Sequence, residues 1–180
     1  MSDLSTRRGR RRALAAWAAV LAALSISCGY KLVREPSARL PSGVSSISIP
    51  LARNLTLEAG LEDVFTQELI KRLSADGRVT ILPAQGQAEL RCVMRDISTH
   101  PVSFTREGRV AAESVTIEAE CALLAPESES LIWSSGPAAR SEEYPVGDNY
   151  LANEDAKAAA INEICRDLSE TMQNALMDSF

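Results

Sequence analysis

Fifteen residues, Val110 to Leu124, run without proline or glycine and set Val115, Ile117, Ala119, Cys121 and Leu123 at every second position. A strand with that alternation buries one face and wets the other, so its sheet must be covered by a second layer. Two amphipathic segments can cover it. From about Leu57 to Ala75, the residues Leu61, Val64, Phe65, Leu69 and Leu73 fall on one helical face, with Asp63, Gln67 and Lys71 opposite. Asn54-Leu55-Thr56 offers turn and cap residues before it, and Asp76-Gly77 ends it. The second helix is expected to start behind Asn153 as N-cap, carry Glu154 and Asp155 in its first turn, and run to about Met177. Its stripe is Ile161, Ile164, Cys165, Leu168, Met172, Ala175 and Leu176.

Other strands are expected at Val44–Leu51, ended near Pro50, at Arg78–Leu82, at Ala88–Thr99 and at Ser130–Ser135 before the Gly136-Pro137 break. Strand, helix, several strands, helix is an α+β order. The expected architecture is a two-layer sandwich, with two helices packed on one face of a mostly antiparallel sheet of about four to five strands.

The N-terminus carries a different message. Arg7, Arg8, Arg10, Arg11 and Arg12 precede the uncharged run Ala13–Ile26, and Ser25-Ile26-Ser27 puts small residues just ahead of Cys28. Basic, apolar and small-residue regions in that order make a secretory signal. As a helix the apolar run would span about 21 Å, short of a hydrocarbon core of about 30 Å. Cys28 is then either a lipidated first residue or an ordinary cysteine beyond a signal cleavage site. The order of features favours the lipid, although Ser25 stands where lipoboxes prefer Leu. The expected organisation is a signal peptide over 1–27, a lipid-anchored lead-in over 28–43 and a single domain over 44–180.

Removing the signal leaves 14 basic and 23 acidic residues, a net of −9. Phosphate binding depends on Lys and Arg displacing counterions, so nucleic acid is not an expected partner. Nor does the chain offer a polybasic tether, which leaves membrane attachment to acyl chains. Beyond Cys28 three cysteines remain. A turn near Arg106-Glu107-Gly108 would set Cys92, which shares a face with Leu90 and Met94, almost opposite Cys121. A bridge is geometrically allowed, but directly opposed pairs fit disulfide geometry poorly and free cysteine is a common core residue. Core thiols are the expectation.

Little here suggests catalysis. The single histidine, His100, sits beside Pro101 at an expected strand end, and no nucleophile elbow, phosphate loop or metal-binding spacing occurs. Glu118 and Glu120 share a strand face pointing to solvent. Neither a cofactor nor a metal is expected. Arginine is more suggestive. Arg91 and Arg95 point to one side of their strand, and Arg106 and Arg109 flank the expected hairpin tip. Such a group is suited to phosphate or carboxylate groups, which Arg recognises bidentately, or it is a solvated face balanced by Glu89, Asp96 and Glu107.

The stretch Cys28-Gly29-Tyr30-Lys31-Leu32 resembles the start of the LPS-assembly lipoprotein family, LptE. The resemblance continues through Leu40-Pro41, Ile47-Ser48-Ile49-Pro50, Asn54-Leu55-Thr56, Gly77-Arg78-Val79, Ala88-Glu89-Leu90, Gly108-Arg109-Val110, Leu131-Ile132-Trp133 and Tyr144. It implies an outer-membrane lipoprotein on the periplasmic side, held by N-terminal acyl chains at Cys28. Its implied partners are lipopolysaccharide and an LptD-like β-barrel translocon, which it would help assemble and plug. A scaffold lipoprotein of another envelope complex is the alternative. If Cys28 takes the lipid, Cys28→Ala yields protein that is soluble or unprocessed; normal maturation and membrane partitioning of that variant, followed by fractionation and mass spectrometry, would overturn the assignment.

Overall fold

The computed structural model describes residues 43–179, so the signal, Cys28 and all of the lead-in except Gly43 lie outside the described residues. The elements are β1 (Ser46–Ser48), β2 (Arg53–Asn54), α1 (Leu61–Asp76), β3 (Thr80–Leu82), β4 (Ala88–Phe104), β5 (Val110–Leu124), β6 (Leu131–Ser134), β7 (Ala138–Pro145) and α2 (Tyr150–Asp178). The sheet order is β3-β1-β4-β5-β6, with β2 also pairing β4 and β7 also pairing β5. Thus β1 and β2 occupy successive stretches along one side of β4, and β6 and β7 do the same along β5.

Helices and sheet form the two expected layers, but the sheet is mixed and has seven strands rather than four to five mostly antiparallel ones. The pairs β1–β3, β1–β4 and β2–β4 are parallel, whereas β4–β5, β5–β6 and β5–β7 are antiparallel. Parallel pairing follows from the chain path: β1, α1 and β3 form a helical crossover, which brings the second strand back in the same direction. The extra strands come from interruption. Pro50 lies between β1 and β2, and Gly136-Pro137 between β6 and β7. Strand β7 has no apolar alternation, and only Tyr144 within it is buried. It forms along Ala112–Ala119 of β5, whose backbone groups need partners on that side.

Both helices lie over the same face. Leu61, Phe65, Leu69 and Leu73 of α1 and Ile164, Cys165, Leu168, Met172 and Leu176 of α2 share one core with Ile47, Leu90, Met94, Ile117 and Leu123 of the sheet. Each fully buried aliphatic or aromatic side chain is worth about 1.5–3 kcal/mol, which is why the layers hold together. Helix α1 starts at Leu61, later than the periodicity suggests, because Asn54 organises the approach. Its Nδ2 donates to the Glu58 carbonyl at 2.7 Å and to Glu62 Oε2 at 2.6 Å, and its Oδ1 accepts from the Thr56 N–H at 2.9 Å. Gly77 closes the helix in a left-handed conformation, donating its N–H to the Leu73 carbonyl. Helix α2 is capped by Asn149, not Asn153. Asn149 is extended and its side chain accepts from the Ala152 N–H, whereas the Asn153 amide bonds both the N–H and the carbonyl of Gly147.

Cys92 and Cys121 are joined in a disulfide, correcting the expectation of two core thiols, and Cys165 remains a buried free thiol. The reason lies in the hydrogen-bond pattern. The Cys121 N–H donates to Ser135 Oγ, and its carbonyl accepts from the Ser135 N–H, so both groups point away from β4. Cys92 and Cys121 are therefore a non-hydrogen-bonded antiparallel pair, the type in which facing residues approach most closely. Their Cα atoms are 4.1 Å apart.

One glycine is required by contact. A Cβ on Gly86 would stand 2.4 Å from the Ser48 nitrogen and 2.6 Å from the Ile47 carbonyl carbon, both backbone atoms of β1. Gly86→Ala is expected to lower stability by about 1–3 kcal/mol by prising β1 from the start of β4. An unchanged urea midpoint would contradict that close approach.

Candidate functional site

The arginines do not converge. Arg91 lies near the start of β4 on the uncovered face, where its Nε donates to Glu89 Oε1 at 2.5 Å and its Nη1 reaches Glu129 Oε1 at 3.3 Å. Arg95 pairs with Glu120 on the same face. It is the residue skipped between the Met94–Ala119 and Asp96–Glu118 pairs, a bulge that shifts the inward set of β4 from Leu90, Cys92 and Met94 to Ile97. Hydrogen bonds to carboxylates, Glu89 first for Arg91 and Glu120 for Arg95, push both guanidinium pKa values further up. Their side chains are 46% and 45% exposed, so these pairs contribute little to stability. What they do is offset part of the acidic charge of the uncovered face, where two arginines meet three glutamates.

Arg106 and Arg109 belong to another place. Arg106 is eleven residues beyond Arg95, and the nine of these that lie in β4 alone span about 30 Å. The tip is a tight turn in which the Thr105 N–H donates to the Arg109 carbonyl and the Gly108 N–H to the Thr105 carbonyl, at 2.8 and 3.0 Å. Gly108 takes a φ of 79°, the left-handed bulge position of a short hairpin loop. Arg109 pairs with Asp148 at 2.6 Å with both partners largely in water, and Arg106 has no ion pair among the described residues.

Sequence reasoning missed the apolar character of this end. The expected strand stops at Thr99, just ahead of His100-Pro101, yet β4 continues to Phe104 with Pro101 opposite Glu113. Beyond Met94 no described strand pairs the other side of β4, and proline is tolerated on an edge. Val102 and Phe104 are consequently exposed near the tip, while Tyr150 and Leu151 are exposed at the start of α2, just beyond Asp148. The strand pattern of Val102 and Phe104 was the available signal.

The hairpin end is supported by β7. Tyr144 is buried and its hydroxyl donates to Glu113 Oε2 at 2.5 Å. His100 lies exposed on β4 opposite Ser114. A cavity of about 290 Å³ lies between the helices over Leu61, Val64 and Ile161, but its rim charges Lys157 and Glu58 are paired with each other at 2.6 Å. No group of three or more metal-ligating side chains occurs among the described residues, and no described helix is long and apolar enough to cross a membrane. The described residues begin at Gly43, beside the first residues of β1. Because Ile47 pairs with Ala88, that point is at the opposite end of β4 from the tip.

Comparison with known proteins places these features in a family. The family model described as LptE, lipopolysaccharide-assembly, matches residues 44–176. Lipoprotein B of Nitrosomonas europaea is similar in structure, at 18% identity and a TM-score of 0.57 over 84% of this chain and 93% of that one. The rare lipoprotein B of Shewanella oneidensis matches at 15% identity and 0.55, over 74% and 95%. A minor lipoprotein of Acinetobacter baumannii matches at 8% and 0.53, over 76% and 92%. These structural likenesses establish the fold. No curated protein matches the sequence.

Burial first, then the hydrogen bond to Glu113, raises the Tyr144 phenol above its ordinary 10.0. Folding therefore favours the protonated phenol, and this contribution is complete below about pH 10 and lost as pH rises further. Tyr144→Phe is expected to be less stable than wild type by about 1 kcal/mol at neutral pH. In urea titrations the gap should narrow above about pH 10; a gap independent of pH would show that the bond to Glu113 does not set it.

Proposed function

The chain belongs to the lipopolysaccharide-assembly family LptE, and we propose that it is an outer-membrane lipoprotein, anchored through Cys28 on the periplasmic side, that plugs a β-barrel translocon for lipopolysaccharide. The observation that carries this reading is the family match, which runs from the first strand into the last turns of α2. The protein acts by occupancy and contact, with no turnover of its own.

Three features support the reading. The uncovered sheet face is polar, with Arg91 and Arg95 paired to glutamates across it, as suits a barrel lumen lined by polar groups. Strand β4 is long enough for such a seat, since its 17 residues span roughly 50 Å, against an apolar barrel band of about 25 Å. Gly43 and the tip at Thr105–Arg109 lie at opposite ends of that strand, so a tethered domain would carry its tip away from the anchored leaflet. At the tip, Arg106, with no ion pair among the described residues, and Arg109, whose partner Asp148 is itself largely in water, are the arginines proposed to meet lipid A phosphates. Arg91 and Arg95, already paired, serve the polar face.

Isolation of the full chain from membranes should bring with it a large β-barrel protein, and depletion should reduce barrel assembly and surface lipopolysaccharide. Recovery with another envelope complex, or depletion without effect, would overturn the plug role. Arg106→Ser with Arg109→Ser should weaken lipopolysaccharide binding in a salt-dependent way with the fold intact. Binding that is unchanged in this variant would reject the tip contact alone.

A further inference from the structure

The disulfide stands where β4 is about to lose its outer neighbour. On that side β1 pairs Ala88 and Glu89, β2 pairs Val93 and Met94, and the Leu55 N–H donates to the Met94 carbonyl. From Asp96 to Phe104 no described strand follows. Burial ends at the same point. Met94 is the last fully buried side chain of β4, Ile97 and Ser98 are partly covered, and Thr99 to Phe104 are exposed.

A register is held by side chains that must stay on the buried face, and a strand without them slips easily. The distal half of β4 lacks them and also contains three irregularities, between Met94 and Asp96, Pro101 and Ser103, and Ser103 and Phe104. Strand β5 is better held, because β7 pairs it from Ala112 to Ala119 and Val115 and Ile117 are fully buried. The distal half of β4 is thus the part of the hairpin with the least to position it. It has two local constraints, the Thr105–Arg109 turn at one end and the Cys92–Cys121 bridge at the other.

We propose that the Cys92–Cys121 disulfide is a redox-dependent register lock for the distal half of β4, and so for the placement of the hairpin tip. With the bridge closed, Asp96–Phe104 keeps its pairing with β5. With the bridge open, that half shifts and frays while the helix-covered body persists. Closing the lock breaks two S–H bonds and forms one S–S bond; the two protons and two electrons pass to the disulfide of a protein oxidant, which becomes a dithiol. Cys165 does not compete, since it is buried in α2 and burial pushes its thiol up to about 12, leaving almost no thiolate for exchange. The lock is independent of which envelope partner the protein serves.

Amide hydrogen exchange on the full chain tests this, with the bridge formed, with it opened by a phosphine reductant, and in the Cys92→Ala, Cys121→Ala double variant. The readout is exchange in Ile97–Phe104 relative to α2. Opening the bridge should raise distal β4 exchange about tenfold or more and α2 exchange by much less. Trypsin should also cut faster after Arg106 and Arg109; in the bridged protein the two pieces stay together until reduced, because both sites lie between the cysteines. Unchanged distal exchange would overturn the proposal. Equal acceleration in α2, or loss of the fold by both routes, would overturn it as well, because the bridge would then support the whole domain and not the register of β4.

Discussion

The pairing of β4 with β5 is the contact on which the rest of the domain depends. It runs from Glu89–Leu124 to Phe104–Val110, and every other strand except β3 is attached to one of its two members. It supplies the inward row of Leu90, Cys92, Met94, Val115, Ile117, Ala119, Cys121 and Leu123 on which both helices rest. The disulfide crosses this ladder inside that row, so the covalent link and the hydrophobic core reinforce the same register.

The two faces of the sheet are built on different principles. The helix-covered face is apolar, and two of its buried hydroxyls are satisfied locally: Thr66 Oγ1 accepts from the Ala52 N–H at 3.0 Å, and Ser169 Oγ donates to the Phe65 carbonyl at 3.4 Å. The open face keeps its charges in water and pairs them across strands, as Arg95 does with Glu120. Such pairs contribute little to stability, but they keep the open face polar and offset part of its acidic charge.

Polarity along the strands gives the domain a direction. Gly43, the start of β4 and the end of β5 share one end, and the hairpin tip with the start of α2 forms the other. The role proposed above gives that direction a use, since a subunit tethered at one end and seated in a barrel would present the other end to the transported lipid.

The sequence by itself determined the layers. Helical periodicity in Leu61–Leu73 and Ile161–Leu176, and alternation in Val115–Leu123, are local patterns set by the 3.6- and 2-residue repeats of the backbone. They identified the core face of both helices and of β5 before any contact was known. The family motifs, spread from Ile47 to Tyr144, were legible in the same way. Only the tertiary structure decided what depends on neighbours. Strand β7 exists because β5 offered it an edge, the parallel pairs because α1 carries the chain over the sheet, and the Asn149 cap because Asn153 was drawn to Gly147. The disulfide formed because Cys121 turns its backbone toward Ser135, and the four arginines divided because β4 ran on past Pro101. Each of these is a choice among partners distant in sequence, and no local repeat records which partner arrives.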